Sequence, residues 1–179
     1  MLTGIKISGF GGQGVMVIGQ LLCYSAINEG KNPSYLPRYG PEKRGGWAEC
    51  HVMISDEEVG SLMSEQTDIL LALNQDAIVK YADSVKPGGI IVVNTGLAEA
   101  PARDDVTIYG IDAAKVAKDL GSAQVTNVVL IGAFLAATGA LEKEHVEAAI
   151  DAKLGKKAEF IELNRKALAA GMENVEKLQ

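Results

Sequence analysis

The stretch from Ile5 to Ile27 constrains the fold more than any other part of the chain. A short apolar run, Ile5 to Ser8, stops at Gly9-Phe10-Gly11-Gly12-Gln13-Gly14. Apolar positions Val15, Ile18, Leu21, Leu22 and Ile27 then fit a helical face, and Gly30 closes the run as a C-terminal glycine does. The order strand, tight turn, helix is the context in which a G-x-G-x-x-G string carries weight. Three uses of such a turn stay open. It can hold a dinucleotide, or simply allow close packing of helix on sheet. Or its backbone N–H groups, with Gln13, can face a cofactor or anion held partly by another chain. A dinucleotide site wants an acid about 20 residues on, at the end of the second strand. That strand, Asn32 to Leu36, runs into Pro37 without one, and Glu29 lies at the helix end. A Walker A loop is excluded too, because Val15-Met16 rather than Lys-Ser/Thr follows Gly14.

The rest of the chain alternates strands and helices. Trp47 to Ser55 has strand periodicity, with Ala48, Cys50, Val52 and Ile54 on an apolar face and Trp47, Glu49, His51 and Met53 on the other. Val59 to Leu62 is expected to return as its hairpin partner. Asp68 to Leu73 and Ile90 to Val93 are buried strands, Val106 to Tyr109 is one more short strand, and Lys86-Pro87-Gly88-Gly89 reads as a turn. Helices are expected over Gln75 to Ser84, Asp112 to Leu120 with Asp112 as N-cap, Thr126 to Thr138, Glu142 to Ala152 and Lys156 to Lys177. At the start of the apolar helix two readings stay open: Thr126 or Asn127 caps it, or Asn127 makes a contact at the strand ends, helped by the helix N-terminus. The fold class that follows is α/β. Residues 1–179 form a single domain: an open, mainly parallel, Rossmann-like sheet with helices on both faces and an inserted β-hairpin.

Composition narrows the function. A net charge of −6 argues against nucleic-acid binding, and 5% aromatic residues leave little for a stacking platform. Cys23 and Cys50 are the only cysteines, too few to ligate an iron–sulfur cluster. Cys50 and His51 are strand neighbours, point to opposite faces and cannot easily share a metal; both cysteines are expected in the core. Asn127 to Leu141 is shorter than the roughly 18 residues of a membrane span. With no secretory signal ahead of the first strand, the expectation is a soluble cytoplasmic protein without membrane contact.

The second informative stretch is Pro37 to Gly46, whose prolines and glycines exclude regular structure. Arg38, Lys43 and Arg44 stand on it in an otherwise acidic protein. Arginines on a constrained loop suit a phosphate or carboxylate, and Gly45-Gly46 permits close approach. If the second strand follows the first helix, this loop and the glycine turn open on the same sheet edge. Trp47 is either an interface anchor or a cover for the sheet edge.

Four blocks together carry a resemblance: Gly9 to Gly14, Tyr39-Gly40-Pro41-Glu42-Lys43-Arg44-Gly45-Gly46, Asp68 to Leu73, and Asn127-Val128-Val129-Leu130-Ile131-Gly132-Ala133. Their order and spacing resemble the gamma subunit of 2-oxoacid:ferredoxin oxidoreductases over essentially the whole chain. The resemblance implies a subunit of an enzyme, most closely the 2-oxoglutarate type, that converts a 2-oxoacid to acyl-CoA and passes electrons to ferredoxin. The chain lacks the Gly-Asp-Gly string and Asn pair of thiamine-diphosphate subunits and has no cluster cysteines. Thiamine diphosphate, magnesium and iron–sulfur clusters are therefore expected on the alpha, beta and ferredoxin-like delta partners, and no catalytic residue or metal site on this chain. The implied role is coenzyme A-proximal, with Gly9, Gly11, Gly12, Gln13, Gly14, Arg38, Lys43, Arg44, Gly45 and Asn127 as candidate contacts. A stand-alone dinucleotide-binding oxidoreductase and a non-catalytic scaffold are the alternatives.

Overall fold

The apolar run before the glycine cluster becomes β1, Leu2–Phe10, in the computed structural model, which describes residues 1–42, 45–58, 60 and 65–179. The glycine turn leads into α1, Val15–Asn28. Two strands follow, β2 (Asn32–Tyr39) and β3 (Trp47–Ser55), then β4 (Thr67–Ala72), α2 (Gln75–Tyr81), β5 (Val85–Asn94) and β6 (Thr107–Ile111). The carboxy-terminal part contains α3 (Ala113–Asp119), α4 (Thr126–Thr138), α5 (Lys143–Leu154), α6 (Ala158–Asn174) and the two-residue β7 (Glu176–Lys177). Asp112 caps α3 as expected, accepting from the Lys115 N–H at 3.1 Å.

The strands form one sheet in the order β2-β3-β1-β4-β5-β6-β7. Strands β1, β4, β5 and β6 pair in parallel, while β3 and β7 run the other way. Because β2 is antiparallel to β3, it runs with β1, and its tip shares the carboxyl edge with the glycine turn. Both faces carry helices, unequally. One core joins Ile5, Ile7, Cys50 and Val52 to α1 and to the carboxy-terminal helices. The smaller core, on Leu70, Ala72, Ile91 and Val93, takes α2.

Four expectations need correcting. The hairpin partner of β3 is β2, paired from Asn32↔Ser55 to Tyr39↔Ala48; the expected partner, Val59 to Leu62, lies largely outside the described residues. Pro37 and Arg38 are strand, not loop, because β2 is an edge strand, where a missing N–H is tolerated. Lys86 to Gly89 does not separate elements: β5 already pairs at Val85, and these residues bulge before pairing resumes at Ile90. The last helix stops at Asn174, and the chain straightens to place Glu176 and Lys177 against β6.

The apolar helix α4 is buried on almost every side, from Val128 to Leu135. It crosses α6 at backbone contact. A Cβ on Gly132 would meet the Leu168 carbonyl, and one on Gly171 would meet the Val129 carbonyl. This crossing fixes where the first turn of α4 lies over the carboxyl edge of the sheet.

Candidate functional site at the carboxyl edge of the sheet

The glycine turn is built by its own hydrogen bonds. The Gln13 N–H donates to the Phe10 carbonyl at 3.1 Å, closing a turn whose third residue, Gly12, has φ of 93°. A left-handed third position is the type II pattern, which favours glycine. The Gln13 side chain folds back, its Oε1 accepting from the Phe10 N–H at 2.6 Å and from Asn74 Nδ2 at 3.3 Å. Gly9 sits against Leu73 and the Gln13 amide. Gly14 is the N-cap of α1 at φ 82°, with no side-chain cap. Its missing side chain has a second cause: a Cβ there would overlap the Asn127 amide.

Asn127 is therefore not the cap of α4. It stands in the first turn with its amide against Gly14, while the Thr126 hydroxyl donates backwards to the Ala123 carbonyl at 2.7 Å. The hairpin tip closes on the turn from the other side. The Gly11 N–H donates to the Gly46 carbonyl at 2.8 Å, and Gly45 lies next to it. Turn, tip and Asn127 thus meet although they are far apart in sequence.

Two further asparagines join them. Asn74 caps α2, accepting from the Ala77 N–H at 2.9 Å, and spends its amide N–H on Gln13. Asn94, 3% exposed, donates to the Leu73 carbonyl at 3.2 Å and accepts from the Ala113 N–H at 3.3 Å. Sequence reading missed both. The available signal was an apolar strand closed by asparagine, in Leu71-Ala72-Leu73-Asn74 and again in Val92-Val93-Asn94.

Between these groups lies a cleft of about 340 Å³, lined among others by Gly12, Gln13, Asn94, Gln124, Thr126 and Asn127. Among the described residues, none that lines it is charged. Its polar groups are amides, a hydroxyl and backbone, and its rim includes residues at the starts of α3 and α4. Helix starts leave N–H groups without partners inside the helix and favour anionic or acceptor-rich ligands.

Not every predicted residue reaches the cleft. Gly12, Gln13 and Asn127 line it; Gly9, Gly11, Gly14 and Gly45 shape its surroundings. Arg38 is elsewhere: its guanidinium lies 3.1 Å from Glu49 Oε1, on the sheet face turned away from α1. Lys43 and Arg44 lie outside the described residues. Cys50 is core, with its thiol 3.5 Å from the Val15 carbonyl and pushed up to about 12 by burial. Cys23 is pushed up to about 11 for the same reason. The dinucleotide geometry is absent as well. Antiparallel β3 occupies the place beside β1 where a parallel second strand would present its acid.

Comparison with known proteins extends the geometry. Residues 4–174 match the family of pyruvate ferredoxin/flavodoxin oxidoreductases. The chain belongs to this oxidoreductase family. The ketoisovalerate oxidoreductase subunit VorA of Methanothermobacter marburgensis is 38% identical over 93% of the chain, and the chain spans 35% of that relative's length. The 2-oxoglutarate synthase subunit KorC of Methanocaldococcus jannaschii is 35% identical, with 97% of this chain and 94% of the relative covered. Among solved structures, the gamma subunit of a keto/oxoacid ferredoxin oxidoreductase from Geobacter sulfurreducens PCA superposes with a TM-score of 0.83. It is 33% identical, over 97% of this chain and 96% of that one. The 2-oxoglutarate:ferredoxin oxidoreductase of Magnetococcus marinus, solved with 2-oxoglutarate, coenzyme A and succinyl-CoA, shares the fold at a TM-score of 0.88. It is 24% identical over 96% of this oxidoreductase-family chain and 30% of its own. Among the described residues, no helix is long and apolar enough to cross a membrane.

Proposed function

We propose that this chain is the gamma-type subunit of a multi-subunit 2-oxoacid:ferredoxin oxidoreductase, with 2-oxoglutarate as its oxoacid. The observation that carries the reading is end-to-end coverage of relatives and structures that are themselves subunits of this length. In the assembled enzyme the oxoacid loses carbon dioxide, its acyl carbon is oxidised, and the acyl group passes to coenzyme A while the electrons leave for ferredoxin. Thiamine diphosphate with magnesium, on the alpha and beta subunits, supplies carbanion stabilisation, and iron–sulfur clusters, including those of the delta subunit, carry the electrons.

This chain's part is one wall of the coenzyme A site. Backbone at Gly12, the Gln13 and Asn127 amides and the Thr126 hydroxyl suit the amides and acceptor oxygens of that ligand. The hairpin tip is tied to the same edge, the Gly11 N–H donating to the Gly46 carbonyl. Arg38 acts here through the hairpin rather than in the cleft, since Glu49 holds it on the open sheet face.

The substrate is tested by co-purifying the chain with its companion subunits and assaying 2-oxoglutarate, 2-oxoisovalerate and pyruvate with a low-potential electron acceptor. The expected result is preference for 2-oxoglutarate, with turnover lost when this chain is left out. Preference for 2-oxoisovalerate would move the chain towards its VorA-like relatives; unaffected turnover without it would remove the subunit role.

A further inference from the structure

Among the described residues, no helix packs over β2 and β3 on one face of the sheet. Register places Lys6, His51 and Leu36 side by side, with Glu49 and Arg38 in the next row and Trp47 beyond. The opposite face of the same strands is closed under α1. On this side α2 contributes Tyr81, whose hydroxyl reaches Glu49, and Lys80, which lies over Trp47.

At its centre lies a fully buried carboxylate, Glu49. It accepts a hydrogen bond from the Tyr81 hydroxyl and pairs with Arg38 at 3.1 Å, a contact too poorly aligned to count as a hydrogen bond. Lys6, 6% exposed, lies over the Tyr81 ring at 4.1 Å, and Lys80 over the Trp47 ring at 3.9 Å. His51 is held down at about 4, by burial first and then by Lys6 and Arg38, so it is neutral at pH 7. Of the three cations Arg38, Lys6 and Lys80, only Arg38 pairs with Glu49. Among the described residues, no carboxylate stands within ion-pair distance of Lys6 or Lys80. This surplus of positive charge sits on a chain of net charge −6, beside the half-buried aromatic surface of Trp47.

We infer that this face, centred on Lys80, Trp47 and Arg38, is the seat of an acidic segment from a companion subunit. Charge decides the occupant. Nucleic acid is disfavoured by the chain's overall sign. A two-fold copy of the same face would set Lys80 and Arg38 against their equivalents. An added strand on the β2 edge would meet Pro33 and Pro37, which have no N–H to donate. A carboxylate-bearing segment lying across the face instead finds Lys80, stacked on Trp47 and without a carboxylate partner among the described residues, and an exposed Arg38 paired with Glu49, both already ordered.

The docking site presupposes the subunit role proposed above, and the experiment separates the two. The full chain, Lys80→Glu and Lys153→Glu are each bound to the purified companion subunits at about 50 and about 300 mM salt. Lys153 stands on α5, over Tyr24, on the other side of the sheet. Lys80→Glu is expected to weaken binding about tenfold or more at low salt, with wild-type melting temperature. Wild-type affinity is expected to fall with salt, and Lys153→Glu to bind as wild type. In the assembled enzyme, Lys80 is expected to resist acetylation by acetic anhydride. Wild-type affinity for Lys80→Glu, with Lys80 still acetylated in the complex, overturns the docking site and leaves the subunit role standing. Self-association of the chain that Lys80→Glu abolishes assigns the face to a second copy and overturns it too. Failure of the wild-type chain to bind any companion removes both.

Discussion

Replacing Gly132 by valine is expected to cost about 3 kcal/mol or more, because the new side chain has nowhere to go. At this position α4 and α6 touch through backbone: a Cβ would press on the Leu168 carbonyl and come within 3.1 Å of Gly171 Cα. Neither partner is the free end of a side chain, so the helices must separate. Separation opens the α4–α6 contact and loosens Val129, Ala133 and Phe134, all fully buried. A loss of that size lowers the melting temperature of a domain of this length by roughly 6–12 °C. Thermal unfolding by circular dichroism measures it. The consequence reaches the cleft as well, since moving α4 carries Asn127 off Gly14. A variant with wild-type melting temperature would mean that α4 and α6 do not cross as described.

The second large effect is expected at Glu49→Ala, about 3–5 kcal/mol, the usual result of removing one side of a buried charge cluster. The lost carboxylate is completely inaccessible, and it holds Tyr81 by a hydrogen bond and Arg38 by charge. Without it, the Tyr81 hydroxyl loses its acceptor and Lys6 keeps its burial without a nearby anion. Burial already holds Lys6 below the usual ammonium range, with Glu49 opposing that displacement. Chemical denaturation of Glu49→Ala beside Glu49→Gln distinguishes the terms. Glutamine keeps an acceptor for Tyr81 and should recover part of the loss; equal losses would make shape, not charge, the reason for the residue.

Much of this architecture was legible in the sequence because it rests on local physics. Val15, Ile18, Leu21 and Leu22 announce α1 by period, and Asp112 announces its cap by chemistry. What stayed hidden depends on pairing between distant segments. Whether β3 would pair with β2 or with the residues after it is not encoded in the alternation of β3 itself. The same holds for Pro37 and Arg38, which read as loop until β2 is known to be an edge. At the site, the glycine turn was visible, and so was Asn127 as a polar residue opening an apolar helix. Its actual partner, Gly14, follows only from the α4–α6 crossing. Asn74 and Asn94 were overlooked because a single asparagine after an apolar run is an ordinary strand ending. Arg38 shows the opposite case: its charge suggested a ligand, while the buried Glu49 three strand positions into β3 had already engaged it.

The proposed coenzyme A wall of Gly12, Gln13, Thr126 and Asn127 is tested most directly in the assembled enzyme, by steady-state kinetics of Asn127→Ala with coenzyme A and 2-oxoglutarate varied separately. Loss of one well-placed amide contact is expected to raise the Michaelis constant for coenzyme A about tenfold. The Michaelis constant for 2-oxoglutarate and the subunit composition should stay as in wild type. An unchanged constant for coenzyme A, in an intact complex, would contradict the assignment.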